Sequence, residues 1–250
     1  MPERKVALIT GATSGIGRGA ALAMSAAGWR VVVSGTDADA GAAVVAELGP
    51  AGGRFVAADL GVVGASADLV ADVIAHDGGL NAVVYSAGIH SLGSIEDQPA
   101  SELDRLWQVN VRGAYETAAA AIPAFRSAGG GVFVAVSSEA GIVAVPHQAA
   151  YNMTKAALIM LARNIAVDHA ADGIRAISIC PGTTRTPLVE RAIASAPDPA
   201  AHEQMLAGSR PAGRLGTVAE IAAAIEFVTR DDVAFLTGTE LVIDGGFTAR

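Results

Sequence analysis

Tyr151 and Lys155 stand four residues apart in Tyr151-Asn152-Met153-Thr154-Lys155. Positions i and i+4 share a helix face, so a phenol and an ammonium there can approach one ligand. A free phenol titrates near ~10 and needs a nearby cation to act as a base at neutral pH. Lys155 supplies one, although Tyr–Lys pairs at this spacing are common by chance. Ser137 and Ser138 close an apolar run and add hydroxyls, Ser138 lying thirteen residues before Tyr151. Asn110 sits in Val109-Asn110-Val111, inside a helical stretch where an amide is a poor helix former. Buried there it needs a polar partner, as a satisfied core amide or as part of a site.

A second group of residues suits phosphate. Thr10-Gly11-Ala12-Thr13-Ser14-Gly15-Ile16-Gly17 follows an apolar run and opens a helical pattern. The spacing is G-x-x-x-G-x-G rather than G-x-G-x-x-G. The physics is shared: glycines let backbone approach a pyrophosphate, and a helix start offers free N–H groups and a positive dipole end. A tight strand-to-helix turn also wants glycine, so the motif admits both readings. Gly11, Thr13, Ser14, Gly15, Ile16 and Gly17 are its candidate contacts. Asp59, in Ala58-Asp59-Leu60, is placed either to accept from an adenine amino group or to cap a helix. Ser86-Ala87-Gly88 is a plain turn or a close pass beside a ribose.

These residues need a scaffold to converge. Val6–Thr10, Arg30–Ser34, Arg54–Ala57, Ala82–Tyr85, Val132–Ser137, Ile174–Cys180 and Glu240–Ile243 read as strands, nearly continuous in hydrophobicity and so buried on both faces. Helical stretches alternate with them: Gly15–Ala27, Asp37–Leu48, Ala65–His76, Pro99–Ser127, Ala149–Ala171 and Val218–Thr229. Strand–helix–strand repetition predicts right-handed crossovers and a doubly wound α/β fold with a seven-stranded parallel sheet, Rossmann-like, helices on both faces. Pro123 should kink or end its helix. The stretch 183–214, with Pro187, Pro197, Pro199 and Pro211, predicts one or two short helices and a substrate lid. No linker or repeat divides the chain, which reads as one domain over 1–250.

Composition narrows the classes. The 250 residues carry 17 Lys+Arg against 25 Asp+Glu, a formal net charge of −8, with 52% hydrophobic and 17% charged residues. That is too apolar for a disordered chain and too acidic for a general nucleic-acid binder. Mean hydropathy is +0.43, yet no clean apolar span of ~20 residues is present, so no membrane segment is expected. Val6–Ile9 is too short for a secretory signal, and a cytoplasmic location is expected. The single cysteine, Cys180, excludes an intrachain disulfide and a thiolate-rich metal site; it reads as a buried strand residue rather than a nucleophile. No metal is expected.

In this order the motifs resemble those of the short-chain dehydrogenase/reductase family, in its branch of about this length. The resemblance covers essentially the whole chain. It rests on Thr10–Gly17, Asp59-Leu60, Ala87-Gly88, Val109-Asn110, Ser137-Ser138, Tyr151-x-x-x-Lys155, Pro181-Gly182, Leu236-Thr237-Gly238 and Val242-Ile243-Asp244-Gly245-Gly246. It implies an NAD(P)-dependent alcohol–ketone oxidoreductase with Asn110, Ser138, Tyr151 and Lys155 as its catalytic set. Tyr151 would be the general acid/base at the substrate oxygen, and Ser138 would hold and polarise that oxygen. Lys155 would bind the nicotinamide ribose and depress the Tyr151 pKa, and Asn110 would fix a relay water. Pro181, Gly182, Thr183 and Thr184 would line the nicotinamide, with Thr186 at its carboxamide. Asp59, Leu60, Ser86, Ala87 and Gly88 would border the adenosine and ribose. The resemblance also implies a homotetramer. One departure is Tyr85-Ser86-Ala87-Gly88, where the family often has Asn-Asn-Ala-Gly.

Cofactor choice rests on the end of the second strand, Ser34-Gly35-Thr36-Asp37. Gly35 takes the slot of an NAD-selecting Asp and Thr36 that of an NADP-selecting Arg. No cation is evident for a 2′-phosphate, and Asp37 would repel one if it faced the pocket, so the reading leans to NAD over NADP. Substrate contacts are expected from His90, Ser91, Ser94, Glu139, His147, Gln148 and Arg185, with Val143, Val145, Leu188 and Met205 as apolar wall. Glu139 faces solvent or touches a polar substrate. This content suggests a small hydroxylated compound: a sugar, sugar acid or polyol. The alternative is a β-ketoacyl thioester reductase, for which Arg112, Arg126 and Arg163 would have to receive an acidic carrier. A non-catalytic nucleotide sensor is a third class, disfavoured by the presence of the full catalytic set.

Overall fold

The computed structural model describes residues 4–49 and 52–249. Seven strands make one sheet: β1 (Val6–Thr10), β2 (Arg30–Gly35), β3 (Gly53–Ala57), β4 (Ala82–Tyr85), β5 (Gly131–Val136), β6 (Ile174–Pro181) and, after two short strands, β9 (Glu240–Ile243). All pairs are parallel in the order β3-β2-β1-β4-β5-β6-β9. The order reverses between β1 and β4, which opens a crevice at their carboxyl ends.

Alternation along each strand feeds two cores. In β1, Val6 and Leu8 join Leu80, Tyr85, Phe125, Phe133 and Leu158 on one face. Ala7 and Ile9 join Val31, Val84, Ile177, Ile221 and Ile225 on the other. Helices α1 (Gly15–Ala26), α2 (Ala38–Glu47), α3 (Ala65–Asp77), α4 (Ala100–Trp107), α5 (Gly113–Ser127), α6 (Ala149–Asp168) and α9 (Val218–Thr229) accompany these strands. Cys180 is fully buried in β6, and burial pushes its thiol up to about 11, as expected of an inert strand residue. The stretch 183–214 carries α7 (Pro187–Ala194) and α8 (Pro199–Gly208), while β7 (Thr184–Arg185) pairs with β8 (Gly216–Thr217).

Two helix expectations need correction. Pro123 does not end its helix: α5 runs through it to Ser127. The carbonyl that Pro123 leaves without a donor belongs to Ala119, on the exposed side, where water can serve it. The stretch 99–127 is also not one α-helix. A π-turn over Gln108–Arg112 separates α4 from α5 and contains Asn110. Among the described residues no helix is long and apolar enough to cross a membrane.

Candidate active site

A cleft of about 460 Å³ lies at the carboxyl ends of β1 and β4. Gly11, Thr13, Ser14, Gly15, Ile16, Gly17, Gly35, Thr36, Asp59, Leu60, Ser86, Ala87, Gly88, Tyr151, Lys155 and Thr186 all stand on its wall, as expected from sequence. A hollow of similar size, 470 Å³, sits around Lys5, Trp29 and Gly129–Val132 at the other end of the sheet and of the motif residues contains only Thr237.

The glycine turn carries two separate requirements. Gly11 has φ +61°, and a Cβ there would meet Ala87 backbone at 2.7 Å; at Gly17 it would meet the Gly11 carbonyl oxygen at 2.4 Å. The fold itself demands these two. Gly15 has φ +53°, but a Cβ there would meet only the Thr186 side chain, at 3.4 Å, so its side toward the cleft is open. Ser14 is the N-cap of α1, yet its side chain caps nothing. The first N–H groups of α1 therefore lack a side-chain cap beside a cleft, the arrangement that receives an anion. Ser34 is 1% exposed on the same wall, with a buried hydroxyl that has no partner. Such an orphan fits a ligand that brings its own polar groups.

At the other end of the cleft, α6 presents Tyr151 and Lys155. The Tyr151 hydroxyl is hydrogen-bonded to Ser138, and burial pushes it up to about 12, with the Glu139 charge adding to the rise. Lys155 is 6% exposed; its Nζ donates to the Val136 carbonyl at 2.9 Å and lies 5.5 Å from the Tyr151 ring centroid. Burial lowers Lys155 to about 8. The protein alone therefore holds the phenol protonated, unlike the depression the resemblance implied. Desolvation outweighs the hydrogen bond to Ser138.

Asn110 is explained by its neighbours. Its Oδ1 accepts from Ile89 N at 2.8 Å, and its Nδ2 donates to Ile89 O at 2.9 Å and Thr154 Oγ1 at 3.0 Å. The amide thus ties the π-turn to the loop after β4 and to α6. The departure at Tyr85 belongs to the same device. Its buried hydroxyl donates to the Val109 carbonyl at 2.6 Å, and Gly113 leaves room for it, since a Cβ there would lie 2.5 Å from that oxygen. A π-turn loosens the helical ladder, and Tyr85 bonds one of its carbonyls.

Several expected contacts are placed elsewhere. Pro181, Gly182, Thr183 and Thr184 do not line the cleft. Gly182 is packed on Asp244, Thr183 Oγ1 accepts from Arg210 at 2.5 Å, and Thr184 donates to the Gly182 carbonyl at 2.9 Å. Glu139 neither faces solvent nor lines the cleft. It is 6% exposed and accepts from Arg210 Nη2 at 2.5 Å. Burial raises its carboxyl to about 7, with Arg210 pulling it down and Asp244 pushing it up. Arg210 is itself 5% exposed and lies 5.2 Å from the Phe247 ring. Nothing local could have signalled this pair, because the partners are 71 residues apart.

Of the expected substrate residues, His90 packs edge-on against Tyr151 at 4.7 Å between ring centroids. Burial lowers its pKa, and Gln148 hydrogen-bonds its side chain. His147 is exposed at φ +58°, with its carbonyl accepting from Gly93 N at 2.8 Å. Ser91, Ser94 and Arg185 bond Gln98, Asp97 and the Glu190–Glu203 pair respectively. Val109 and Val136 line the cleft without having been expected there, while Ile89 adjoins His90, and Pro187 and Arg191 belong to the stretch 183–214 expected to cover the substrate. Arg191 gave no signal, being one arginine within an amphipathic helix.

A parallel doubly wound sheet with an uncapped glycine-rich helix start at its switch point defines the Rossmann-like α/β class. A family model described as enoyl-(acyl carrier protein) reductase matches residues 11–248. An uncharacterized oxidoreductase of Thermotoga maritima is 37% identical over 99% of this chain and 98% of its own. A 2-keto-3-deoxy-L-fuconate dehydrogenase of Xanthomonas campestris pv. campestris is 37% identical over 98% of this chain and 81% of its own. A solved structure described as a short chain dehydrogenase/reductase family protein superposes with TM-score 0.88 at 36% identity, covering 100% of both chains. The chain belongs to the short-chain dehydrogenase/reductase family. It is an NAD(P)-dependent oxidoreductase acting on CH–OH groups.

Proposed function

We propose that the enzyme interconverts a small, polar secondary alcohol and its ketone, with Tyr151 moving the proton. The observation that carries this reading is that Tyr151, hydrogen-bonded to Ser138, and Lys155 stand on the wall of the cleft that also holds the glycine turn. The glycine turn and Asp59 would hold the adenosine diphosphate half, and Lys155 the nicotinamide ribose. When bound, the nicotinamide gives or takes the hydride. Ser138, already bonded to Tyr151, would share the substrate oxygen with it. In reduction the protonated phenol donates to the carbonyl oxygen; in oxidation the same oxygen must first lose its proton.

A polar substrate is supported by His90, which packs on Tyr151, and by Gln148, which hydrogen-bonds His90. The named Xanthomonas relative adds weight toward a sugar acid. The carrier-thioester reading draws less support: Arg126 and Arg163 each pair with a carboxylate, and Arg112 reaches Glu116 and the Gly61 carbonyl. The NAD lean also loses an argument, since Asp37 is spent as the N-cap of α2, accepting from Ala40 N. In this reading the chain is one catalytic unit in which 183–214 covers the substrate.

A panel of sugar acids, polyols, hydroxy acids and cyclic alcohols, assayed with NAD and NADP, tests the proposal. Turnover of a hydroxylated acid or polyol is expected. Activity confined to apolar cyclic alcohols or to acyl thioesters would remove the substrate class.

We also propose a homotetramer. Exposed Tyr115 and Met160 on α5 and α6, and fully exposed Phe235, are apolar surface suited to burial between copies. Light scattering should give about four times the 25.0 kDa chain mass; a monomer would refute it.

A further inference from the structure

Arg191 is distinguished by what it lacks. Every other arginine among the described residues makes a hydrogen bond, an ion pair or another electrostatic contact. Arg191 has no such partner among them. It lines the cleft from α7, one helical turn after Pro187. The residue before α7, Thr186, is the side chain nearest the open side of Gly15. An unpaired guanidinium therefore shares a cleft with the uncapped start of α1 and with the partnerless Ser34 hydroxyl. All three are completed by the same chemistry, an anion with several acceptor oxygens.

We propose that Arg191 is a phosphate anchor for the dinucleotide, reaching it from the segment that covers the substrate. The inference rests on the reading that this cleft takes a dinucleotide. It adds a cation beside the cleft that the residues near β2 do not supply. A phosphate on this ligand has two sources, the diphosphate bridge or the 2′-phosphate of NADP. A purely local role exists for comparison: a cation in the last turn of α7 complements the helix dipole. That role predicts an effect on folding stability and none on nucleotide affinity.

The experiment is calorimetric titration of the wild type, Arg191→Gln and Arg191→Lys with NADH, NADPH, ADP and adenosine, with thermal melts of the free proteins alongside. A charge-assisted hydrogen bond at a half-open site is worth on the order of tenfold in Kd. Arg191→Gln should weaken NADH, NADPH and ADP alike by about that factor if the diphosphate is held. It should weaken NADPH alone if the 2′-phosphate is held. Adenosine should be unaffected in both cases, and Arg191→Lys should recover part of the loss. Wild-type nucleotide affinities retained within twofold in Arg191→Gln would overturn the anchor, as would equal weakening of adenosine. No binding of any dinucleotide by the wild type would instead sink the functional reading beneath it.

Discussion

Tyr151→Phe lowers kcat by about 10²- to 10⁴-fold, the range a positioned general acid–base group supplies, while nucleotide affinity stays near the wild-type value. The variant keeps the ring that packs against His90 and removes only the hydroxyl bonded to Ser138. Steady-state rates in both directions, paired with NADH titration, check it. A kcat within threefold of wild type would refute the assignment of the proton to Tyr151. The wild type should also show directional pH behaviour. Burial pushes the phenol up to about 12, so at neutral pH it is protonated and ready to donate. Alcohol oxidation, which needs the proton gone, gains as pH rises; ketone reduction, which needs it present, does not.

Arg210→Met is the most destabilising single change expected. Removing one partner of a buried ion pair costs about 3–5 kcal/mol, because the other charge is left buried alone. At this chain length that is roughly 2–4 °C in Tm per kcal/mol. The pH dependence follows from Glu139. Its folded value is raised from the ordinary 4.5 to about 7. The stability linked to its proton is therefore fully present below pH 4.5 and is lost as pH rises through about 7. Without Arg210 the larger influence holding that value down is gone and only the Thr183 backbone hydrogen bond remains, so the folded value climbs further. The loss of Tm in Arg210→Met should be largest above pH 7 and shrink toward pH 5, where the lone carboxyl takes a proton. Glu139→Gln combined with Arg210→Met should recover part of the loss. Melts of the two variants and the wild type across this range test it. A Tm loss independent of pH, unrelieved in the double variant, would mean that packing of Arg210 on Phe247 matters and its charge does not.

The pair also shows where sequence reading stops. Strand positions, helix starts and the glycine turn are local: their signals are hydrophobic period, Gly placement and the residue before each helix. They were legible to within a residue or so, as in Val6–Thr10 and Ala82–Tyr85. The excursion over 183–214 was legible as short helices because prolines open both α7 and α8. Glu139 and Arg210 carry no such signal. Each is an ordinary surface residue type until β6 and the chain end bury them together. The same holds for the polar residues around the substrate end. Ser91, Ser94 and Arg185 read as available hydroxyls and a cation, yet each is taken by a neighbour. Asp37 read as a threat to a phosphate and is a helix cap instead.

The doubly wound parallel sheet, the glycine turn at its first crossover and the presence of Tyr151 and Lys155 on one helix face are all legible in the chain alone. Each follows from local periodicity, from backbone freedom at glycine, or from motif order along the chain. Burial of the site's titrating groups and the partners of its charges emerge only once the chain is folded. Tyr151 and Lys155 are both shifted toward neutrality because burial penalises their charged forms. Asn110 is satisfied by a loop and a helix that its own segment meets only in the folded chain. Arg191 stands unpaired on the cleft wall because the fold gives every other described arginine a partner and leaves this one facing the cleft. Solvation and pairing depend on what surrounds a group in space, and that is set by packing across the sheet rather than by neighbours along the chain.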